Sequence, residues 1–183
     1  MSARVVAGRA GGRRLEVPKG DLVRPTSDKV RGALFNALAH ALGDHCVGAR
    51  ALDLFAGAGT LGIEAWSRGA AHVTFVERDA KVAAVLRRNV EAIDVTGEVR
   101  VRSVEAYLKG PASAFDLVLL DPPYAAGAVQ PTVDALFAGG WLAAGALVCV
   151  EHAVQAAPQP PTGAESLWAR TYGGTALAVL RAR

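Results

Sequence analysis

Cysteine is scarce in this chain: Cys46 and Cys149 are its two, far apart and without CxxC spacing, which argues against a disulfide framework and against a thiolate zinc site. Such thiols suit a reducing cytoplasm, as core or half-buried groups. The four histidines, His40, His45, His72 and His152, show no ligand spacing, so no metal is expected. No apolar run approaches the roughly 20 residues that span a bilayer, and the N-terminus lacks the uninterrupted apolar core of a secretion signal. The expectation is a soluble, cytoplasmic protein with no membrane partner. Internal repeats are also missing, and low complexity is confined to the proline-rich loop at 158–161.

What is present is enough apolar material, 51% of 183 residues, for one well-buried domain with a small appendage. The charge is unevenly spread. Residues 1–31 hold eight bases and three acids, which leaves 12 of the 20 bases and 14 of the 17 acids for the rest. A segment of +5 on a body of −2 suggests a polyanionic partner held by a basic arm, although charge alone equally fits a solvated basic hairpin.

Residues 3–19 read as a hairpin, two short β-like pieces around a glycine-bearing basic turn, with too little apolar surface to stand alone. Val30, Leu34, Ala37, Leu38 and Ala41 then share one helical face, with Thr26 or Ser27 as cap and Asp28 in an acidic first turn. From Arg50 onward short apolar strands alternate with helices, which points to a mostly parallel sheet covered on both faces. Residues 165–183 break that rhythm as two strands turning at Gly173-Gly174, which would add an antiparallel hairpin.

Between the first body strand and its helix, "DLFAGAGTLG" sets Gly57, Gly59 and Gly62 in GxGxxG spacing. Glycines there let the backbone turn tightly and approach a ligand. The spacing alone fits nicotinamide cofactors, flavins, S-adenosylmethionine or a ligand-free turn. Asp53, four residues before Gly57, can meet the cationic methionine end of S-adenosylmethionine, or else cap the next turn. Glu77 ends the following strand, where an acid can bind a ribose diol or pair with Arg78. A nicotinamide enzyme would more typically lack an acid at the Asp53 position.

About sixty residues beyond the glycine loop, the apolar run "FDLVLL" ends in Asp121-Pro122-Pro123-Tyr124. In a doubly wound sheet this tetrapeptide faces the ligand crevice. The prolines remove amide donors, leaving the carboxylate and flanking carbonyls as acceptors, which suits the two hydrogens of a planar exocyclic amine. Tyr124 can stack on the ring that bears it. The tryptophans Trp66, Trp141 and Trp168 read as packing residues.

DPPY in this position resembles the signature of amino-group methyltransferases. Together with "RPTSDKVRGALFNAL" and "LDLFAGAGTLGIEAWSRGA" it is similar to the bacterial 16S ribosomal RNA guanine-N2 methyltransferase family known as RsmD, over most of the chain and in the same order. The resemblance implies an α/β, Rossmann-like class I S-adenosylmethionine-dependent methyltransferase fold: a mostly parallel seven-stranded sheet closing with an antiparallel hairpin, plus an N-terminal β-hairpin. It divides the chain into an arm, 1–23, and a methyltransferase domain, 24–183. It makes Asp121, Pro122, Pro123 and Tyr124 catalytic. Arg24, Pro25, Thr26, Asp53, Gly57, Gly59, Thr60, Glu77, Ser103, Val104 and Asp121 would hold S-adenosylmethionine, released as S-adenosylhomocysteine. An acid often found near the cofactor adenine is replaced by Ser103, with Glu105 as the alternative reader. Arg4, Arg9, Arg13, Arg14 and Arg31 would contact the partner, 16S ribosomal RNA, free or within the small subunit, with the enzyme a monomer. Competing readings are a DNA adenine-N6 methyltransferase, disfavoured because so short a chain has no separate target-recognition domain, a noncatalytic RNA-binding assembly factor, and a nicotinamide-dependent dehydrogenase.

Overall fold

A computed structural model describes residues 3–18, 27–41, 45–123 and 127–183. The elements run β1 (Ala3–Arg4), β2 (Arg14–Leu15), α1 (Asp28–Asn36) continuing into a π-helical turn (Ala37–Ala41), β3 (Arg50–Leu54), α2 (Thr60–Ser67), β4 (His72–Glu77), α3 (Ala80–Ile93), β5 (Gly97–Val101), α4 (Val104–Leu108), β6 (Phe115–Leu120), α5 (Val129–Ala138), β7 (Leu142–Ala153), β8 (Ala164–Tyr172) and β9 (Thr175–Ala182). β1 and β2 pair alone, and the other seven strands form one sheet in the order β5-β4-β3-β6-β7-β9-β8. The first five are parallel, while β9 runs antiparallel to both β7 and β8. This is the mostly parallel sheet with a closing hairpin that the alternation and the resemblance imply. Among the described residues no helix is long and apolar enough to cross a membrane.

The apolar run of β6 follows from this layering. Leu117 and Leu119 are buried with α1, α2 and α3 on one face, and Val118 and Leu120 with α4 and α5 on the other, so both sides of the strand need apolar residues. Of the two candidate caps for α1, Ser27 serves, its Oγ accepting the Val30 amide at 3.3 Å. Thr26 lies outside the described residues. On α3 the buried positions Val82, Ala83, Leu86, Asn89 and Ile93 trace one helical stripe. Trp141 is buried against Phe115 and Tyr107.

The basic hairpin is bound tightly to the body. Ala3, Val5, Ala10 and Leu15 are buried in the same cluster as α1–α3. Beneath them Glu64 of α2, wholly buried, accepts the amides of Val6 (2.7 Å) and Ala7 (3.1 Å) and pairs with Arg68 at 2.7 Å. Arg31 of α1, equally buried, lies 3.7 Å from the same carboxylate, pairs with Asp28 at 2.8 Å and donates to the Arg4 carbonyl. Ser67 Oγ accepts from Ala10 and donates to the Ala7 carbonyl. Gly8, at φ +82°, passes so close to α2 that a Cβ would stand 2.0 Å from the Ser67 carbonyl oxygen. Asn89 joins the end of the arm to the glycine loop, accepting from the Glu16 amide and donating to the carbonyls of Glu16 and Ala58. The boundary expected at residues 23 and 24 lies outside the described residues.

Candidate active site

A cleft of about 840 Å³ opens at the C-terminal ends of the parallel strands, where β3 has β4 on one side and β6 on the other. Connections leave β3 and β6 in opposite directions there, which is where open α/β sheets bind ligands. Asp53, Gly57, Thr60, Glu77, Ser103, Val104, Asp121, Pro122 and Pro123 all line it, gathered from four strand ends.

Glu77 sets the shape of the glycine loop. Its Oε2 accepts the Gly57 amide at 3.0 Å and its Oε1 the Asp79 amide at 2.8 Å, so this acid holds backbone amides. Phe55, which begins the loop, sits at φ +62°, a region bulky residues seldom enter, and lines the cleft. Gly59, at φ +84°, lies behind the cleft, and a Cβ there would be 2.4 Å from Leu86 Cδ1. The third glycine, Gly62, lets α2 approach the sheet, since a Cβ would stand 2.4 Å from Phe75 Cε1. Its amide donates to Asp53 Oδ2 at 2.8 Å, so Asp53 does cap the following helix, as its alternative reading holds, while lining the cleft.

Asp53 is 1% exposed, and burial pushes its carboxyl well above the usual carboxylate range. The Gly62 hydrogen bond opposes this, and the charges of Asp121 and Glu77 reinforce it. Asp53 thus feels two further acids from neighbouring strand ends. Asp121 is half-buried, Pro122 buried and Pro123 exposed. Ser103 caps α4, its Oγ accepting the Ala106 amide at 3.1 Å, beside the buried Val104. Glu105 also lines the cleft and pairs with Lys109.

Arg24, Pro25, Thr26 and Tyr124 lie outside the described residues, but Ser27, next in the chain, lines the cleft. Among the expected RNA contacts the structure separates two kinds of arginine. Arg4 and Arg14 are exposed on the arm, and Arg13 is exposed while donating to the Ala92 carbonyl at 2.6 Å. Arg9 is exposed too, yet its guanidinium donates to the carbonyls of Trp66 and Ala70 and lies 3.7 Å over the Trp66 ring. Arg31 requires correction as a surface contact: at 0% exposure, held by Asp28, Glu64 and the Arg4 carbonyl, it fixes the arm from within. Residues the sequence reading did not single out also line the cleft, namely Phe55, Glu151, Tyr172 and Thr175. Glu77 closes its apolar strand, whereas Glu151 lies two residues before the end of β7, so the strand-closing acid that marks Glu77 in the sequence does not mark Glu151.

The family model described as conserved hypothetical protein 95 matches residues 3–181. Ribosomal RNA small subunit methyltransferase D of Escherichia coli (strain K12) is 40% identical over 154 residues, 83% of this chain and 75% of that protein. The putative rRNA methyltransferase YlbH of Bacillus subtilis (strain 168) is 34% identical over 188 residues, 98% of this chain and 99% of that one. Among solved structures, the putative methyltransferase yhhF from Escherichia coli matches with a TM-score of 0.89 at 34% identity, covering 100% of this chain and 98% of that chain. With a sheet of this order, a strand-end cleft and DPP at its centre, the chain belongs to the conserved hypothetical protein 95 family, the RsmD family.

Proposed function

We propose that this chain is an S-adenosylmethionine-dependent rRNA methyltransferase that places a methyl group on the exocyclic N2 of a guanine in 16S ribosomal RNA, free or within the small subunit, acting as a cytoplasmic monomer. The observation that carries this reading is the placement of Asp121-Pro122-Pro123 at the end of a buried strand, one strand away from Asp53 and on the same cleft as Glu77. A cationic donor fits an edge where carboxylates crowd together, because a positive charge relieves both their burial and their mutual repulsion.

S-adenosylmethionine, when bound, supplies a methyl carbon on positively charged sulfur, and its transfer leaves neutral S-adenosylhomocysteine. Asp53, Gly57 and Thr60 hold the methionine end, with Arg24, Pro25 and Thr26 beside it, and Gly59 keeps the loop packed against α3. Glu77, both of whose oxygens already accept amides, has further lone pairs for a ribose diol. Ser103 and the Val104 amide face the adenine, with Glu105 as the alternative reader.

Asp121 and a carbonyl of the Pro122 region accept the two N–H groups of the target amine. Holding them turns the nitrogen lone pair, otherwise delocalised into the ring, toward the methyl carbon. The bound donor would give its methyl to the amine nitrogen as the C–S bond breaks with its electron pair left on sulfur, and the amine would then lose one proton to water, so no strong base is needed. Tyr124 stacks on the guanine, which must leave any paired stem to reach the cleft. Arg4, Arg13 and Arg14 contact phosphates, Arg9 adds to them where its own hydrogen bonds allow, and Arg31 holds the arm that presents them. A labelled-methyl assay offering unmethylated small subunits, naked 16S RNA and duplex DNA side by side tests the substrate class. Transfer to either ribosomal substrate is expected, and transfer confined to DNA would overturn the reading.

A further inference from the structure

Glu151 is the fourth acid at the strand ends and has no part in the chemistry above. Leu120 of β6 pairs in register with Val150 of β7, so Asp121 and Glu151 are the next residues along two neighbouring parallel strands. Both line the cleft. Along β7 and β9, Cys149, Leu177 and Val179 are buried with the α1–α3 layer, and Glu151 pairs with Leu177 on that face. Glu151 is 7% exposed, so its carboxylate belongs to the wall of the cleft and not to the outer surface. Tyr172 and Thr175 of the closing hairpin and Val30 of α1 line the cleft with it.

We infer that Glu151 is a specificity-determining residue that accepts the ring N1–H of the target guanine beside the amine held by Asp121. This rests on the guanine-N2 reading given above. Among the amine-bearing bases, guanine carries a ring N–H next to its amine; adenine and cytosine present a ring nitrogen lone pair there instead. An ionised carboxylate is an acceptor only, so it matches guanine and repels the other two. Asp121 alone sees an amine and is blind to that difference. A second acid one strand away supplies the discrimination, and the hairpin β8–β9 supplies the wall that keeps water from standing in for the missing contact.

The test uses full-length protein and small-subunit RNA in which the target guanine is replaced by 2-aminopurine, which keeps the amine but has no N1–H. Wild type is expected to prefer guanine by about a hundredfold or more in kcat/KM, since a site built around a hydrogen bond rejects a partner lacking it. In Glu151→Gln the side-chain amide can donate to the bare ring nitrogen, so the preference should shrink at least about tenfold, while S-adenosylhomocysteine affinity stays as in wild type. Equal use of guanine and 2-aminopurine by the wild-type protein would overturn the inference whether or not the variant folds. So would an unchanged preference in a folded, cofactor-binding Glu151→Gln. Failure of the wild type to methylate guanine at all would remove the parent reading first, and this inference with it.

Discussion

Two regions of this molecule bury acids, and they do so in opposite ways. Under the arm, acid meets base: Glu64 is wholly enclosed but surrounded by two amides, Arg68 and Arg31. At the cleft, acid meets acid: the charges of Asp121 and Glu77 both push the buried Asp53 carboxyl upward, and Glu151 follows on the next strand. The first arrangement makes sense as structure by itself, since each charge that loses water gains a partner. The second costs the fold stability and makes sense once a cation and a donor-rich base are to be held there. In the proposed function the like charges gathered at strand ends are the working edge, and the compensated charges are the clamp that fixes the arm.

The comparison breaks first at Asp121. Asp121→Ala should lower transfer by about a thousandfold or more, while S-adenosylhomocysteine binding by calorimetry changes by less than about threefold; unaltered turnover would strip the cleft of its assigned chemistry. Next is the clamp. Glu64→Ala takes the acceptor from the Val6 and Ala7 amides and from Arg68, and leaves the buried Arg31 with Asp28 as its remaining carboxylate; it should cost about 3–5 kcal/mol, seen as a melting temperature lower by about 10 °C. A loss under about 1 kcal/mol would show that the arm is held by its apolar contacts instead.

Asp53 should behave unlike Glu64, with smaller effects. Its folded-state pKa lies above the ordinary value of 3.8, so the ionised carboxyl destabilises the fold at neutral pH, and that cost fades as pH falls through the raised value toward 3.8. Asp53→Asn, which can still accept the Gly62 amide, should be neutral or stabilising near pH 7. Melting curves should also show a smaller gain on mild acidification than in wild type. Affinity for S-adenosylmethionine should fall about tenfold. Strong destabilisation at neutral pH would place Asp53 with the clamp acids. The smallest effect belongs to the exposed arm: Arg14→Ala should weaken RNA binding modestly and lower the salt slope by about one phosphate contact, and an unchanged slope would move the RNA surface away from the β1–β2 turn.

Much of this was legible in the sequence because it is local. The two-sided apolar run 115–120, the strand-to-helix glycines and the turn at Gly173-Gly174 each fix their own element through side-chain period or backbone freedom. The carboxylates at 53, 77 and 121 converge because parallel strands bring their C-terminal ends together, which the alternation of strands and helices already implies. The clamp was not legible. Glu64 is a polar residue in a helix, and nothing nearby in sequence says that Val6 and Ala7, 58 and 57 residues away, will cover it. For the same reason Arg31 read as one more surface base of a basic segment. Its burial comes from the docking of α1, α2 and the arm on one another, a tertiary event with no local signature. Glu151 went unread for a different reason: its strand was recognised, but its neighbour across the sheet is set by strand order, and β7 joins β6 and β9 only once the sheet is assembled.

The central claim is that the crowded acids act on the exocyclic amine of a guanine. Its most direct test is to digest small-subunit RNA to nucleosides after transfer by the wild-type enzyme and identify the methylated species by mass spectrometry against standards. N2-methylguanosine, absent when Asp121→Ala replaces the wild type, is the predicted result; N6-methyladenosine or a methylated cytidine in its place would contradict it.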